Sequence, residues 1–464
     1  MKTRNMKKMS TLALALCTSL GLNGCTLEVP DLNRPSEENL INRPTRTLVL
    51  SAAEGLLVGT RAGQTTQTGY VSILGVLGRE SYVLDVSDPR YVGELLSGTT
   101  LDPGSPAFGG NFWTAPYANI RNANSLLTAL DGVGEMTAAE KEALRGYAKT
   151  IQALDFLIVI NTRDTNGAPI DVSRALDGPL APIATKQEVL AHIAGLLDEA
   201  KGHLAAGGTT FPFPLSSGFT DFDVKQSEPR RALTVPNFLK FNRGLKARVD
   251  VYREDWGAAL KDLDESFISP DGPLSLGVYH AFGTGSGDAA NELNDPDLYV
   301  HPSVVADAEH QADGSLDARV QSKVQAAKAR AYQGVSSDKT FTLYASATSP
   351  IPIIRNEELI LLRAEALLQT GDLSGATNDI NRIRVRSGNL PALDTDIPST
   401  FALDKAGAVD ELLKQRRYSL LFEGGHRWID MRRYGRLDQL PKDQPGHVVH
   451  ERFPIPVGES DARP

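Results

Sequence analysis

The stretch Asn356–Ser387, NEELILLRAEALLQTGDLSGATNDINRIRVRS, decides the fold. Its apolar residues recur three and four positions apart, as Leu359, Leu362 and Ala366 do, which places them on one face of a helix from Asn356 to Thr370. Gly371 falls just past that end, where a helix commonly closes on a residue without a Cβ, and a second helix is predicted over Leu373–Ser387. A link of two residues makes the two helices antiparallel neighbours. The small residues Ala364, Ala366 and Ala376, with the break at Gly371-Asp372, give the hairpin a tetratricopeptide-like rhythm.

Working outward, Val235–Tyr252 and Trp256–Ile268 form a second such pair across three residues, with Ala247, Tyr252, Trp256 and Ala259 echoing the first. The same periodicity predicts helices over Leu48–Gly59, Trp113–Leu130, Thr137–Ile160, Lys186–Ala205 and Ala408–Glu423. Thr137-Ala-Ala-Glu140 and Thr185-Lys-Gln-Glu188 are capping-box patterns, in which the Thr and Glu side chains each satisfy a free backbone N–H. Strand alternation is confined to Tyr82–Val86, Lys339–Tyr344 and Phe453–Val457. Two stretches, residues 85–111 and 269–350, are rich in Gly, Pro, Asp and Ser and read as loop-rich insertions, the kind of segment that carries binding on a rigid scaffold. The expected body, residues 45–464, is mostly α: tetratricopeptide-like hairpins as scaffold, with an irregular ligand-binding part, rather than a regular solenoid.

The amino terminus carries a separate message. Lys2, Arg4, Lys7 and Lys8 precede the apolar run Leu12–Leu22, the order of a signal peptide, and the run is too short to span a bilayer. Leu22-Asn23-Gly24-Cys25 then resembles a lipoprotein cleavage box. Residues 1–24 are expected to be removed, Cys25 to be acylated, and 25–44, with three prolines, to serve as a tether. Several acyl chains, at about 0.8 kcal/mol per buried methylene, hold a protein on a membrane where one does not. The formal charge of the chain is −9; its first 24 residues hold four cations and no acid, so the remainder carries −13. Such a body disfavours nucleic acid and anionic lipid as nonspecific partners. Cys17 and Cys25 are the only cysteines, which excludes a disulfide framework and a Cys-based zinc site from the body.

Taken together these segments resemble the SusD/RagB family of outer-membrane nutrient-binding lipoproteins. The resemblance is carried by Asn111-Phe-Trp-Thr-Ala-Pro-Tyr117 with Asn119-Ile-Arg-Asn-Ala-Asn124, by Gly146–Phe156 with Gly167-Ala-Pro169, and by Leu245-Lys-Ala-Arg-Val249 with Trp256. It is strongest in Leu362-Arg-Ala-Glu-Ala366, Ile380-Asn-Arg-Ile-Arg384, Arg416–Gly435 (RRYSLLFEGGHRWIDMRRYG) and Phe453-Pro-Ile-Pro456. Arg386-Ser-Gly388 and the doubled glycine Gly424-Gly425 depart from the family pattern. The resemblance implies a lipid-anchored, surface-exposed body at the outer membrane. It further implies a TonB-dependent SusC-type barrel as partner and a captured nutrient, an oligosaccharide before a peptide.

Catalytic and metal chemistry find little support. The eight histidines include no HExxH pair, no Walker loop or GxSxG elbow occurs, and the acidic runs Asn291–Asp297 and Asp313–Asp317 lack EF-hand spacing. No catalytic residue, cofactor or metal is therefore assigned. The charges of Arg416–Tyr434 read as a structural ion-pair network clamping the last helices, with Glu423 and Arg427 one turn apart if the helix continues through the glycines. Sugar binding needs aromatic faces and planar polar groups. In and beside the two insertions these are Tyr82, Tyr91, Phe108, Tyr279, Phe282, Tyr299, His301 and Tyr344, with Arg79, Asp85, Arg90 and Asn291 as polar partners. Trp113, Trp256 and Trp428 sit in helical motifs and are assigned to the core. The expected function is non-enzymatic capture of an oligosaccharide for delivery to the barrel; the alternative is a docking subunit without ligand of its own.

Overall fold

The computed structural model describes residues 37–174, 178–222, 231–285, 288–393 and 405–463. The predicted signal peptide, Cys25 and the tether up to residue 36 lie outside the described residues. The longer helices are α1 (Arg46–Arg61), α2 (Tyr70–Leu77), α3 (Thr114–Gly132), α4 (Ala138–Arg163), α5 (Lys186–Ala206), α6 (Val235–Tyr252), α7 (Trp256–Asp264), α8 (Asn356–Thr370), α9 (Leu373–Arg386), α10 (Lys405–Ser419) and α11 (His426–Arg433). The strands are β1 (Ser81–Val83), β2 (Gly277–His280), β3 (Leu298–Val300), β4 (Val324–Tyr332), β5 (Val335–Phe341) and β6 (Ile351–Arg355).

The helices pack as neighbours in chain order, α3 on α4, α4 on α5, α5 on α6, α6 on α7, then α7 on α8 and α8 on α9 and α10. Both predicted capping boxes are present, at Thr137 with Glu140 and at Thr185 with Glu188. Gly371 closes α8 at φ +93°, where a Cβ would be strained. Most of the body shares one core, and α8, α9 and α10 hold a second cluster around Ile360, Leu361, Ile380, Ile383 and Leu412. All three tryptophans pack on the main core, Trp428 fully buried and Trp256 partly so.

Among the described residues the strands form three separate antiparallel pairs, β1 with β3, β2 with β6 and β4 with β5. Ser81 faces Val300 and Val83 faces Leu298, so β1–β3 ties the segment just before the first loop-rich stretch to the second. Glu37–Asn42 is helical and rests on α3, with Leu40 buried and the Ser125 hydroxyl donating to Glu37 at 2.7 Å.

Several expectations are corrected. The segment predicted as one helix to Glu423 ends at Ser419; Phe422, Gly424 and Gly425 then take φ of +58°, +126° and +78° and turn the chain before α11. The helix from Trp256 stops at Asp264, short of Ile268. Phe453–Val457 is not a strand: Pro454 and Pro456 have no N–H to donate to a ladder. Helix α2 went unpredicted because all eight of its residues are buried, which leaves no polar face and hence no stripe.

Candidate functional site

An open groove of about 500 Å³ lies where three segments meet: residues 217–221, the start and flank of β2 from Ser275 to Phe282, and Thr348–Pro350. The first segment folds back on residues 231–233, Asp221 N donating to Arg231 O at 2.8 Å and Leu233 N to Phe219 O at 2.9 Å. It is pinned to β2 by Tyr279 N donating to Gly218 O at 3.1 Å. A Cβ on Gly218 would sit 1.9 Å from the Tyr279 carbonyl oxygen, so this approach requires glycine.

The groove combines apolar surface from Leu276, Ala281, Phe282 and Pro350 with the hydroxyls of Ser217, Thr220, Ser275 and Thr348. Tyr279 is half-buried and its hydroxyl donates to Ser275 O, which fixes the ring; burial pushes this phenol up to about 12. Phe282 is held from behind by Arg61, whose guanidinium lies 6.0 Å from its ring and also reaches Ala281 O and, at 2.6 Å, Asp288. Asp221 is the one carboxylate among the described lining residues. This size and mixture suit a small sugar or peptide ligand.

The structure does not bring the twelve residues singled out from sequence to one place. Tyr279 and Phe282 are in the groove. Tyr82 and Tyr299 face each other on β1–β3 and His301 follows directly after β3, the Tyr82 and His301 rings 4.8 Å apart, and all three are buried. His301 Nε2 and Asp443 are 3.3 Å apart; against the upward push of burial, His301, Tyr82 and Arg79 together hold Asp443 down at about 2. Arg79 is buried and donates to the carbonyls of Pro441 at 3.0 Å and Val448 at 2.6 Å, fastening the carboxy-terminal segment. Tyr91 and Phe108 are buried edge-to-face at 5.2 Å. Arg90, at the surface, stacks over Phe108 at 4.5 Å and pairs with Asp88.

Asp85 accepts from Ser87 N at 2.8 Å in a turn. Asn291, buried, donates to Ser349 O at 2.7 Å, and the Tyr344 hydroxyl, also buried, donates to Phe422 O at 2.9 Å. Sequence reasoning passed over residues 217–221, although Phe211-Pro-Phe-Pro-Leu-Ser-Ser-Gly218 carries the Pro, Ser and Gly that mark a loop. What no sequence signal reveals is that this loop meets β2. Among the described residues no group of three His, Cys, Asp or Glu is placed to hold a metal, and no helix is long and apolar enough to cross a membrane.

The charged stretch Arg416–Tyr434 forms the expected network. Arg416 pairs with Asp430 at 2.6 Å, Arg433 with Asp430 at 3.2 Å and with Glu365, and Arg432 with Asp164 at 3.2 Å. Glu423 does not reach Arg427, because the helix breaks between them; it accepts from Arg355 Nε and Nη2, both at 2.9 Å.

A mostly helical body of consecutive hairpins, with short paired strands and a loop-built groove, is the SusD-like fold. The sequence model of the SusD family matches residues 301–454. Solved structures of similar fold include a SusD superfamily protein from Bacteroides vulgatus, 16% identical over 92% of this chain and 97% of that one, with a TM-score of 0.64. A laminarin-binding SusD-like protein is 18% identical over 90% of this chain and 98% of that one, TM-score 0.64. A SusD-like carbohydrate-binding protein from Bacteroides fragilis is 14% identical, covers 87% of this chain and 88% of that one, and has a TM-score of 0.65. No curated protein matched the sequence. The body thus has a SusD-like fold, and its carboxy-terminal third matches the SusD family model.

Proposed function

We propose that this protein is a cell-surface lipoprotein that captures a neutral oligosaccharide in the Tyr279–Phe282 groove and passes it, unreacted, to a TonB-dependent outer-membrane barrel. The observation that carries the proposal is the groove itself, where two aromatic side chains stand beside four hydroxyl-bearing residues. Aromatic faces pack against sugar C–H edges and hydroxyls hydrogen-bond to the ring substituents. The laminarin-binding and carbohydrate-binding relatives of the same fold support the ligand class. A binding role fits better than hydrolysis, because a glycosidase works with two carboxylates flanking one bond and the described lining offers Asp221 alone.

Calorimetry of the full chain against a panel of neutral oligosaccharides tests this. Saturable heat without product release is expected, weakened about tenfold or more by Tyr279→Ala, whose half-buried ring can be removed with the fold retained. The docking-subunit reading draws on the burial of Tyr82, Tyr91, Phe108, Tyr299 and Tyr344, which leaves those rings to packing. It gains if the panel is silent while the protein copurifies with the barrel.

A further inference from the structure

A second groove, of about 430 Å³, opens between α10 and α11 and shares no residue with the first. Four cations line it, Lys414, Arg417, Arg427 and Arg436, against two carboxylates, Asp307 and Asp410. A local surplus of cations on a chain of net charge −9 needs a reason. The acids are already engaged: Arg417 pairs with Asp307 at 2.8 Å and Arg436 with Asp410. Lys414 is held from the other side by Glu309 at 2.7 Å and Glu411 at 2.9 Å.

Arg427 is left over. Among the described residues its guanidinium makes no hydrogen bond or ion pair, and Arg417, itself buried, adds an Nε–H without an acceptor. Burial, and then the neighbouring Arg417 cation, push Arg427 down to about 10, the direction expected of a guanidinium short of a counter-ion. Leu413 and Met431 supply apolar wall, and Gln439 an amide that can both donate and accept.

We propose that this groove binds an oxyanion on Arg427 and Arg436, either the carboxylate of an acidic sugar or a phosphate. Guanidinium is the group best shaped for such an anion, and Arg427 has its donors free. The apolar wall and the Gln439 amide would seat the ring of an acidic sugar, a ligand class the overall negative charge would otherwise disfavour.

The test is calorimetry of the full chain in low-salt buffer with D-galacturonate, D-galactose and inorganic phosphate as probes. Saturable binding of an anion is expected, reduced about tenfold or more by Arg427→Gln and less by Arg436→Gln, whose charge is shared with Asp410. Galacturonate binding above phosphate identifies an acidic sugar, and the reverse order a phosphate; galactose gives no heat that Arg427→Gln removes. Binding of a neutral oligosaccharide at the Tyr279 groove is unaffected by either variant, so the two sites fail separately. Absence of heat with both anions, or undiminished binding to folded Arg427→Gln, overturns the proposal. If Arg427→Gln does not fold, the Arg436→Gln, Gln439→Leu double variant takes its place, and undiminished binding there overturns it equally.

Discussion

Glu423 shows how a buried charge is kept, and what its removal does. It accepts two hydrogen bonds from Arg355 and lies 3.3 Å from Lys323 Nζ, while Arg355 also pairs with Glu357 and donates to Ser419 O. Truncating one member leaves the others charged and dry, so Glu423→Ala should lower stability by about 3–5 kcal/mol. Denaturant unfolding measures this, and a loss under 1 kcal/mol would show the cluster to be better solvated than its burial implies. Glu80 is the opposite case. It is fully buried, one of its oxygens has no hydrogen-bond partner, and burial pushes it up to about 8, against the Phe422 N–H and the nearby cations Arg427, Arg417 and Lys323. The unfolded chain loses this proton near the ordinary 4.5, while the native state keeps it until about 8. Native protein therefore holds more protons across that window, and stability falls as pH rises through it, by at most about 1.4 kcal/mol per unit. Glu80→Gln should remove that slope, stabilising the protein at pH 8 and changing little near pH 4.5; parallel unfolding curves at the two pH values for both proteins check it. That charges of Arg416–Tyr434 would clamp the last helices was legible from their density. Glu423 turning to Arg355 was not, since the two are 68 positions apart and meet only because the chain breaks at Gly424.

At the scale of elements, hairpins whose helices carry polar residues at helical spacing were the readable part. Val235–Tyr252 and Asn356–Thr370 begin and end where periodicity and capping place them; most of their residues are buried, but polar ones such as Arg243, Lys246, Glu358 and Glu365 interrupt the apolar ones and keep the helical period visible. Legibility failed where burial is complete, as in α2, or where conformation rather than pattern rules, as at Gly424-Gly425. The second case carries a prediction. A Cβ on Gly425 would lie 2.4 Å from Leu74 Cβ, on buried α2, and φ of +78° is strained for any residue that has one. Gly425 thus lets α11 start against α2 with Trp428 inside, its indole N–H donating to His450 O at 2.8 Å. Gly425→Ala should destabilise by about 2–4 kcal/mol and weaken the near-ultraviolet circular dichroism signal of Trp428. Gly435→Ala is the control: it also has positive φ, at +64°, but meets no atom within 4 Å, so it should cost only the backbone strain.

For the whole molecule, the proposed function divides the work between body and anchor. The helical scaffold follows from sequence because local periodicity specifies local structure. The groove does not, since residues 217–221, β2 and Thr348–Pro350 are joined by tertiary contacts alone. Burial also claims most of the loop aromatics, because short antiparallel pairs such as β1–β3 need packed rings to stand without a larger sheet. In the proposed function, membrane attachment comes from outside this body. No helix among the described residues could cross a bilayer, and a chain carrying −13 beyond its first 24 residues is repelled by anionic lipid. The proposal assigns attachment to acyl chains at Cys25, each methylene contributing about 0.8 kcal/mol. Wild-type protein should incorporate radiolabelled palmitate and sediment with membranes, and Cys25→Ala should do neither while retaining the wild-type melting temperature. Equal labelling of the two would remove the anchor from the proposal. Loss of label with continued sedimentation would instead mean that a protein partner, such as the barrel, holds the body at the membrane.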